Sequence, residues 1–324
     1  MIVTLRAWSA RCTTLMCAVA VLLALTACNS NAKPPASSTS GVVQITPTPV
    51  STRAAGFYQV QTQTNIPYGP LASAGETLDL CLPAGAPDPR PAIVMIHGGG
   101  WVNGDKSLLA SDCYALALRG FVVASINYRL APASRWPAQL VDAQLAVRWL
   151  RANAAKYQVD PERVCSLGDS SGAHLAVFLG VLPMNTPGDQ AGLYADQSPA
   201  VACVVDEFGP VDLKALNPLP DWAGTFGVLF GPNALKSDPG LLGRASPLTY
   251  VSPKSAPMLI IQGTQDTTVP PSQSQELEEA LLKAPVPVQY VTYPGGHEFA
   301  GLSQSDVQGI EQQRLDFLVM ELHP

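Results

Sequence analysis

Short apolar runs alternate over most of the chain with longer segments in which apolar residues recur at helical spacing. The short runs predict buried strands at residues 92–97, 121–128, 200–208, 257–262 and 286–292, with a further strand beginning near 164. Helices are predicted near 108–119, from Pro137 onward and near 304–322; the second of these has Leu140, Ala143, Val147, Leu150 and Ala154 on one face. This alternation favours an α/β protein with a mostly parallel central sheet and helices on both faces.

Several regions depart from that alternation. Residues 57–83 predict antiparallel strands that precede the parallel part of the sheet, and Asp160-Pro161 predicts a turn. Residues 184–199 predict a loop. Residues 212–253 are rich in proline and glycine and carry several aromatic residues. They could form a small lid that shapes a substrate pocket or an irregular surface loop, and the sequence favours neither.

One strand prediction leads directly into a recognisable turn. Residues 164–175 read VCSLGDSSGAHL, an apolar run followed by Gly-Asp-Ser170-Ser-Gly and then a helix-like segment. This is the context of a nucleophile elbow, in which a serine lies on a tight strand-to-helix turn. Glycines on either side let the strand and helix approach each other around the strained serine. We therefore predict that Ser170 is a nucleophile, in preference to a simple helix cap.

A second glycine-rich loop follows the predicted strand at 92–97. His97 is followed by Gly98, Gly99, Gly100 and Trp101. Loops of this type offer backbone N–H groups to an oxyanion, because side chains would keep a carbonyl oxygen from the main chain. We expect Gly98 and Gly99, together with the N–H of Ser171, to form an oxyanion hole.

The general base can be identified by elimination, because the chain has four histidines. His97 belongs to the glycine loop, His174 follows Ser170 by one helical turn, and His323 is the penultimate residue. His297 remains, in a loop after the predicted strand at 286–292.

The catalytic acid is expected between the serine and the histidine in the sequence. Asp266 lies there, just past the predicted strand at 257–262, and Asp206 and Asp212 are the reserve candidates. The order Ser170, Asp266, His297 is that of α/β-hydrolases.

These motifs resemble those of α/β-hydrolase-fold esterases in the hormone-sensitive-lipase and feruloyl-esterase-like groups, over roughly residues 75–320. The matching segments are residues 97–101, 127–130, 168–175, 208–213, 263–266 and 296–297. The chain differs from the family pattern in that Ser171 and Ala173 replace the usual alanine and glycine, and Glu298 stands where a small residue is common. The resemblance implies a serine esterase that forms an acyl-serine intermediate and needs no cofactor.

The substrate would be a small-molecule carboxylic ester, with acetyl and feruloyl esters as the candidate types. We expect Trp101, Trp222 and Phe226 to line its pocket. Two alternatives stay open. His97 to Trp101 also fits the H-G-G-x-W pattern of arylformamidases, although the export predicted below argues against that intracellular task. The chain could also be a non-catalytic binding module of this fold, although such modules commonly lack the nucleophile or the base.

The N-terminal region predicts export. Arg6 and Arg11 precede a mostly apolar run from 13 to 27, and Leu25-Thr26-Ala27-Cys28 resembles a bacterial lipobox. We expect a lipoprotein-type signal peptide (residues 1–28) cleaved before Cys28, a Ser/Thr/Pro-rich disordered tether (29–55) and a catalytic domain (56–324). Lipidation at Cys28 would anchor the protein in a membrane of the cell envelope, facing outside the cytoplasm; a secreted protein is the alternative.

Composition and cysteine spacing add exclusions. The net charge of −6 and the absence of a basic run argue against a nucleic-acid partner. Cysteine and histidine spacings give no metal-ligand pattern, so we predict no metal site. In an exported domain, Cys81, Cys113, Cys165 and Cys203 could pair in three ways, or Cys165 and Cys203 could be free buried thiols.

Overall fold

The structure, a computed structural model, describes residues 57–182 and 192–324. The predicted signal peptide, the lipidation site Cys28, the tether and part of the loop predicted at 184–199 lie outside the described residues. Within the described ranges, we find no helix that is both long and apolar enough to cross a bilayer.

The described strands form one sheet of eight. They are β1 (Gln59–Pro67), β2 (Thr77–Ala84), β3 (Arg90–Ile96), β4 (Val122–Ile126), β5 (Val159–Asp169), β6 (Cys203–Glu207), β7 (Met258–Gly263) and β8 (Val288–Tyr293). Their order across the sheet is β1-β2-β4-β3-β5-β6-β7-β8. β1 pairs antiparallel with β2, β2 pairs antiparallel with β4, and the remaining pairs are parallel. The predicted α/β-hydrolase fold with a mostly parallel sheet is confirmed.

The turn predicted at Asp160-Pro161 is wrong. Both residues lie inside β5, which begins at Val159 beside Arg90 of β3. The pairing between β3 and β5 is irregular between Arg90 and Ala92. A proline is tolerated in a strand at such an irregularity, because the ladder hydrogen bond it cannot donate is not required there.

The helices cover both faces of the sheet. They are α1 (Ala110–Ala117), α2 (Ala138–Ala152), α3 (Ala154–Tyr157), α4 (Ser171–Val181), α5 (Leu213–Leu216), α6 (Pro220–Phe230), α7 (Ala234–Ser237), α8 (Leu241–Arg244), α9 (Ser272–Lys283) and α10 (Gln304–Leu322). Helix α10 has the predicted bounds and starts with a capping box between Ser303 and Asp306. Helix α1 is shorter than predicted, because a 3-10 turn (Lys106–Leu109) precedes it. Helix α2 ends before Ala154, which belongs to α3.

The irregular loop considered for residues 212–253 is not found. This segment contains α5 to α8 and a 3-10 turn (Pro247–Tyr250), and we call residues 213–250 the cap. An apolar cluster within it joins Leu213, Leu216, Phe226, Leu229 and Leu242 to residues outside the cap, Trp101 among them.

Two larger apolar clusters lie on the two faces of the sheet. One contains buried residues of α2, α4 and α9, such as Val147, Leu175 and Leu277. The other contains buried residues of α1 and α10, such as Leu116 and Phe317. Because each face is covered, the central strands are buried on both sides, and they appear in the sequence as continuous apolar runs.

The four cysteines of the described residues form two disulfides, Cys81–Cys113 and Cys165–Cys203. The first joins β2 to α1, and the second joins neighbouring positions of β5 and β6. The structure thus selects one of the three pairings that the sequence left open. The alternative of free thiols at Cys165 and Cys203 is wrong for this structure.

Candidate active site

Ser170 occupies the turn between β5 and α4 with a left-handed backbone, φ 52° and ψ −120°. Strained geometry of this kind persists only where the surroundings enforce it. A Cβ on Gly172 would lie 2.0 Å from the carbonyl oxygen of Ile96, and one on Gly168 would lie 2.4 Å from the Gly172 backbone. The Ser170 N–H donates to the carbonyl oxygen of Glu207 at 2.9 Å. The turn therefore needs both glycines, and the neighbouring strand β6 anchors it.

The three predicted catalytic side chains are in hydrogen-bond contact. The hydroxyl of Ser170 lies 3.0 Å from Nε2 of His297, and Nδ1 of His297 lies 2.6 Å from Oδ2 of Asp266. With Nδ1 protonated, Nδ1–H donates to the carboxylate and Nε2 accepts from the serine hydroxyl. Each of the three residues follows one of the parallel strands β5, β7 and β8. The carboxyl ends of these strands lie at the same edge of the sheet, which brings the three residues together.

The carboxylate of Asp266 is buried and held in one orientation. Its Oδ1 accepts from the N–H groups of Thr268 at 2.8 Å and Val269 at 2.9 Å. Its Oδ2 accepts from Nε2 of Gln262 at 3.2 Å as well as from His297. Because these bonds hold the carboxylate in place, Oδ2 faces Nδ1 of His297. The acid therefore orients the base.

The reserve acids lie elsewhere. Asp206 is buried within β6, where its Oδ1 accepts from the Gly209 N–H at 2.8 Å. Asp212 caps α5 by accepting from the Lys214 N–H at 2.9 Å. Neither is bonded to His297, whose carboxylate partner is Asp266.

The oxyanion loop differs from its prediction at one position. The N–H of Gly98 donates to Oδ1 of Asp169 at 3.0 Å, so it is already engaged. The prediction that Gly98 contributes to the oxyanion hole is therefore not supported in this structure. The N–H groups of Gly99, Gly100 and Ser171 donate to no acceptor within residues 57–182 and 192–324. Gly100 was absent from the prediction, although the third glycine of the motif marked it in the sequence.

Packing fixes the start of this loop. The buried ring of His97 stacks on Tyr128 with centroids 4.4 Å apart, and the Tyr128 hydroxyl donates to the His97 carbonyl at 2.9 Å. Gly99 and Gly100 have φ values of +108° and +62°. Only glycine adopts such backbones without strain, so the loop depends on these two positions.

A cluster of acidic residues lies beside the nucleophile, and sequence analysis missed it. Burial, followed by the neighbouring charge of Glu207, raises the pKa of Asp169 from 3.8 to about 7. Glu207 is paired across the strands with Asp169 and bonded to Nη1 of Arg314 at 3.0 Å. Arg314 also contacts Asp112. A carboxyl that titrates near neutral pH therefore lies next to Ser170.

The three aromatic residues predicted to line the substrate pocket have different environments. Trp101 and Phe226 are fully buried, each 0% exposed, within the apolar cluster of the cap. They present no surface to a substrate here, because packing of the cap against the oxyanion loop covers them. Trp222 is half-buried, and its indole N–H donates to the carbonyl oxygen of Thr268 at 3.1 Å.

His174 lies in α4, one helical turn beyond Ser170, and is fully buried. Its Nε2 lies 2.8 Å from the carbonyl oxygen of Ala245 in the cap. Burial lowers its pKa to about 4, so the ring is neutral at neutral pH and Nε2–H donates to that carbonyl. Within the described part of the chain, no group of three or more His, Cys, Asp or Glu side chains could hold a metal ion.

Comparison with known proteins finds relatives that are named as esterases. Esterase LipQ of Mycobacterium tuberculosis is 34% identical over 245 residues, which are 74% of this chain and 57% of that protein. Esterase LipC of the same organism is 32% identical over 217 residues, 65% of this chain and 53% of that protein. The chain thus spans little more than half the length of these curated relatives.

Solved structures of esterases share the fold. A truncated carbohydrate esterase from gut microbiota has a TM-score of 0.70 at 29% identity, covering 84% of this chain and 99% of that one. Esterase Est2 of Thermogutta terrifontis has a TM-score of 0.62 at 26% identity, covering 82% and 93%. The model of the BD-FAE family matches residues 78–281, more than half of the sequence. The chain therefore belongs to the BD-FAE family.

Proposed function

We propose that this protein is a serine hydrolase that cleaves carboxylic esters through an acyl-serine intermediate. The observation that carries the proposal is the hydrogen-bonded series from Asp266 through His297 to Ser170, with the serine on a strained elbow. Relatives and structural neighbours named as esterases support the same reaction class.

The geometry supports the following reaction. His297 Nε2 takes the proton of Ser170 as Oγ attacks the ester carbonyl carbon, and the imidazolium then protonates the departing alkoxide. Asp266 fixes the imidazole and stabilises its positive charge. A water activated by His297 attacks the acyl-serine, and collapse of the second tetrahedral intermediate returns the proton to Ser170 and releases the acid.

Backbone donors stabilise the developing oxyanion. We assign this role to the free N–H groups of Gly99, Gly100 and Ser171, since Gly98 is bonded to Asp169. In other hydrolases the loss of one such donor costs about 3–4 kcal/mol of transition-state stabilisation. The glycine loop supplies two of these donors, and the first residue of α4 supplies the third.

The ester type is a finer proposal. We favour a short acyl group, of the acetyl class, on a carbohydrate or other small alcohol. The supporting observations are the structural neighbour named as a carbohydrate esterase and a Thermogutta terrifontis Est2 structure with bound propionate (26% identity, TM-score 0.64). Feruloyl esters are tested as well, because the motifs of the chain resemble those of feruloyl-esterase-like enzymes.

Hydrolysis of p-nitrophenyl esters from acetate to decanoate, of methyl ferulate and of acetylated xylan tests the proposal. The matched variant Ser170→Ala should lose activity by about 10⁴-fold or more, as expected when a triad member is removed. N-formylkynurenine is included for the formamidase alternative. A folded wild-type protein no faster than Ser170→Ala on every ester would refute the esterase assignment.

We also propose that Cys28 is lipidated and anchors the protein to a membrane of the cell envelope. Support comes from the positive residues Arg6 and Arg11, the apolar run that follows them and the lipobox-like residues before Cys28. Membrane fractionation and mass spectrometry of the mature N-terminus test this. Release of Cys28→Ala into the soluble fraction is expected, and an unmodified wild-type Cys28 would refute it.

A further inference from the structure

Trp222 joins the cap to the loop that carries the catalytic acid. Its indole N–H donates to the carbonyl oxygen of Thr268 at 3.1 Å. The N–H of Thr268 in turn donates to Oδ1 of Asp266 at 2.8 Å. A series of hydrogen bonds therefore leads from helix α6 through the acid to His297.

The same indole also contacts the residue that follows the oxyanion loop. Its ring lies against Trp101, with centroids 6.1 Å apart. Trp101 directly follows the three glycines of the oxyanion loop and has a left-handed backbone, φ 62°. Trp222 thus contacts both the turn that carries Asp266 and the residue that follows the oxyanion loop.

The turn at residues 266–269 is bonded from two sides. On the buried side, Nε2 of Gln262 contacts Oδ2 of Asp266 at 3.2 Å and the Val269 carbonyl at 3.3 Å. On the other side Thr268 is exposed, and Trp222 is the side chain that bonds its carbonyl. Without the indole N–H, the Thr268 carbonyl would depend on solvent for a donor, while the Thr268 N–H would stay bonded to Asp266.

We propose that Trp222 is a positioning residue for catalysis: it fixes the turn at 266–269 and thereby the orientation of Asp266 toward His297. This inference rests on the proposed function. It differs from the substrate-contact role predicted from sequence, because Trp222 acts on the acid loop through its N–H. A substrate-contact role would depend on the face of the ring.

Trp222→Phe tests the proposal, because it keeps an aromatic ring and removes the N–H. The expected kcat for p-nitrophenyl acetate falls about twofold to tenfold, the range for loss of one hydrogen bond, with KM unchanged. Rates are normalised by titrating Ser170 with a fluorophosphonate, so misfolded molecules are not counted. Val228→Ala, an exposed position on the same helix, is the control and should match the wild type.

A double-mutant cycle separates positioning from general packing. In an Asp266→Asn background, Trp222→Phe should have little further effect, since the acid it orients is gone. An equal effect in both backgrounds, or a change in KM alone, would overturn the proposal. Trp222→Leu serves as the second variant, and an unchanged kcat per titrated site in it would also overturn the proposal.

The outcomes distinguish this inference from the proposed function. If the wild type reacts with the fluorophosphonate but cleaves no ester, the ester assignment fails. The rate of Ser170 labelling then decides the role of Trp222: a twofold to tenfold slower Trp222→Phe supports it, and an equal rate overturns it. A wild-type Ser170 that does not react at all overturns both.

Discussion

Asp206 offers a direct test of the buried electrostatics beneath the site. The residue lies within β6, is fully buried, and its Oδ2 has no hydrogen-bond partner in the part of the chain that the structure describes. Burial, only partly opposed by the bond from the Gly209 N–H, raises the pKa of Asp206 from 3.8 to about 7. This carboxyl should make the unfolding free energy of the wild type fall as the pH rises. We predict that Asp206→Asn removes this fall.

The sign and size follow from linkage. The pKa of Asp206 is higher in the folded state than in the unfolded state, so its protonated form stabilises the folded protein. This stabilisation is complete below the unfolded-state pKa of 3.8 and is lost as the pH rises through about 7. At about 1.4 kcal/mol per pKa unit, the wild type should lose about 2–3 kcal/mol from this group between about pH 5 and pH 8. An asparagine does not titrate, so the variant lacks this loss.

Urea unfolding followed by far-UV circular dichroism, with disulfides intact, measures the difference between the two proteins at several pH values. Both contain Asp169, whose pKa is also raised, so the difference isolates Asp206. From pH 5 to pH 8 the unfolding free energy of the variant should rise by about 2–3 kcal/mol relative to that of the wild type. A pH-independent cost of the buried amide would not change this difference. A difference that does not change with pH would refute the burial argument. Ester hydrolysis should persist, because Asp266 is the carboxylate bonded to His297.

Three further predictions concern the elbow, the cap and the oxyanion loop. Gly172→Ala should prevent folding or lower the melting temperature sharply, because its Cβ would lie 2.0 Å from the Ile96 carbonyl; thermal melts test this. Phe226→Ala should cost about 3–5 kcal/mol of unfolding free energy, while exposed Val228→Ala should stay within about 0.5 kcal/mol. Asp169→Ala should lower kcat about tenfold by leaving the Gly98 N–H unpaired, and Asp169→Asn, which keeps an acceptor, should restore most of it; equal rates for both variants would contradict this.

The sheet and the positions of the three proposed catalytic residues could be predicted because their signals are local. Strands buried on both faces must be apolar throughout, and the chemistry lies where such strands end. His297 could be chosen because few histidines compete, and Asp266 because it follows a strand in the expected order. The structure brings both into bonding distance of each other, although nothing in the spacing of 31 residues requires it.

The parts that the sequence could not give depend on contacts between distant segments. Gly98 looks like a free donor until Asp169, 71 residues away, accepts its N–H. Trp101 and Phe226 look like pocket residues, because nothing local shows that they pack in one cluster. Several cap helices have four residues, too few to show a 3.6-residue period. The cysteine pairs likewise depend on which strands become neighbours.

These contacts also argue against treating the cap as a separable specificity element. His174, on the nucleophile helix, bonds the cap at Ala245, and Trp222 bonds the acid turn at Thr268. Gln273 of α9 accepts two further N–H groups just before the cap, from Val211 at 2.9 Å and Asp212 at 2.8 Å. Since the first two connections end beside Ser170 and Asp266, a cap substitution that reshapes the substrate pocket also displaces groups that orient the proposed catalytic residues. Cap variants selected for a new ester should therefore change kcat together with KM.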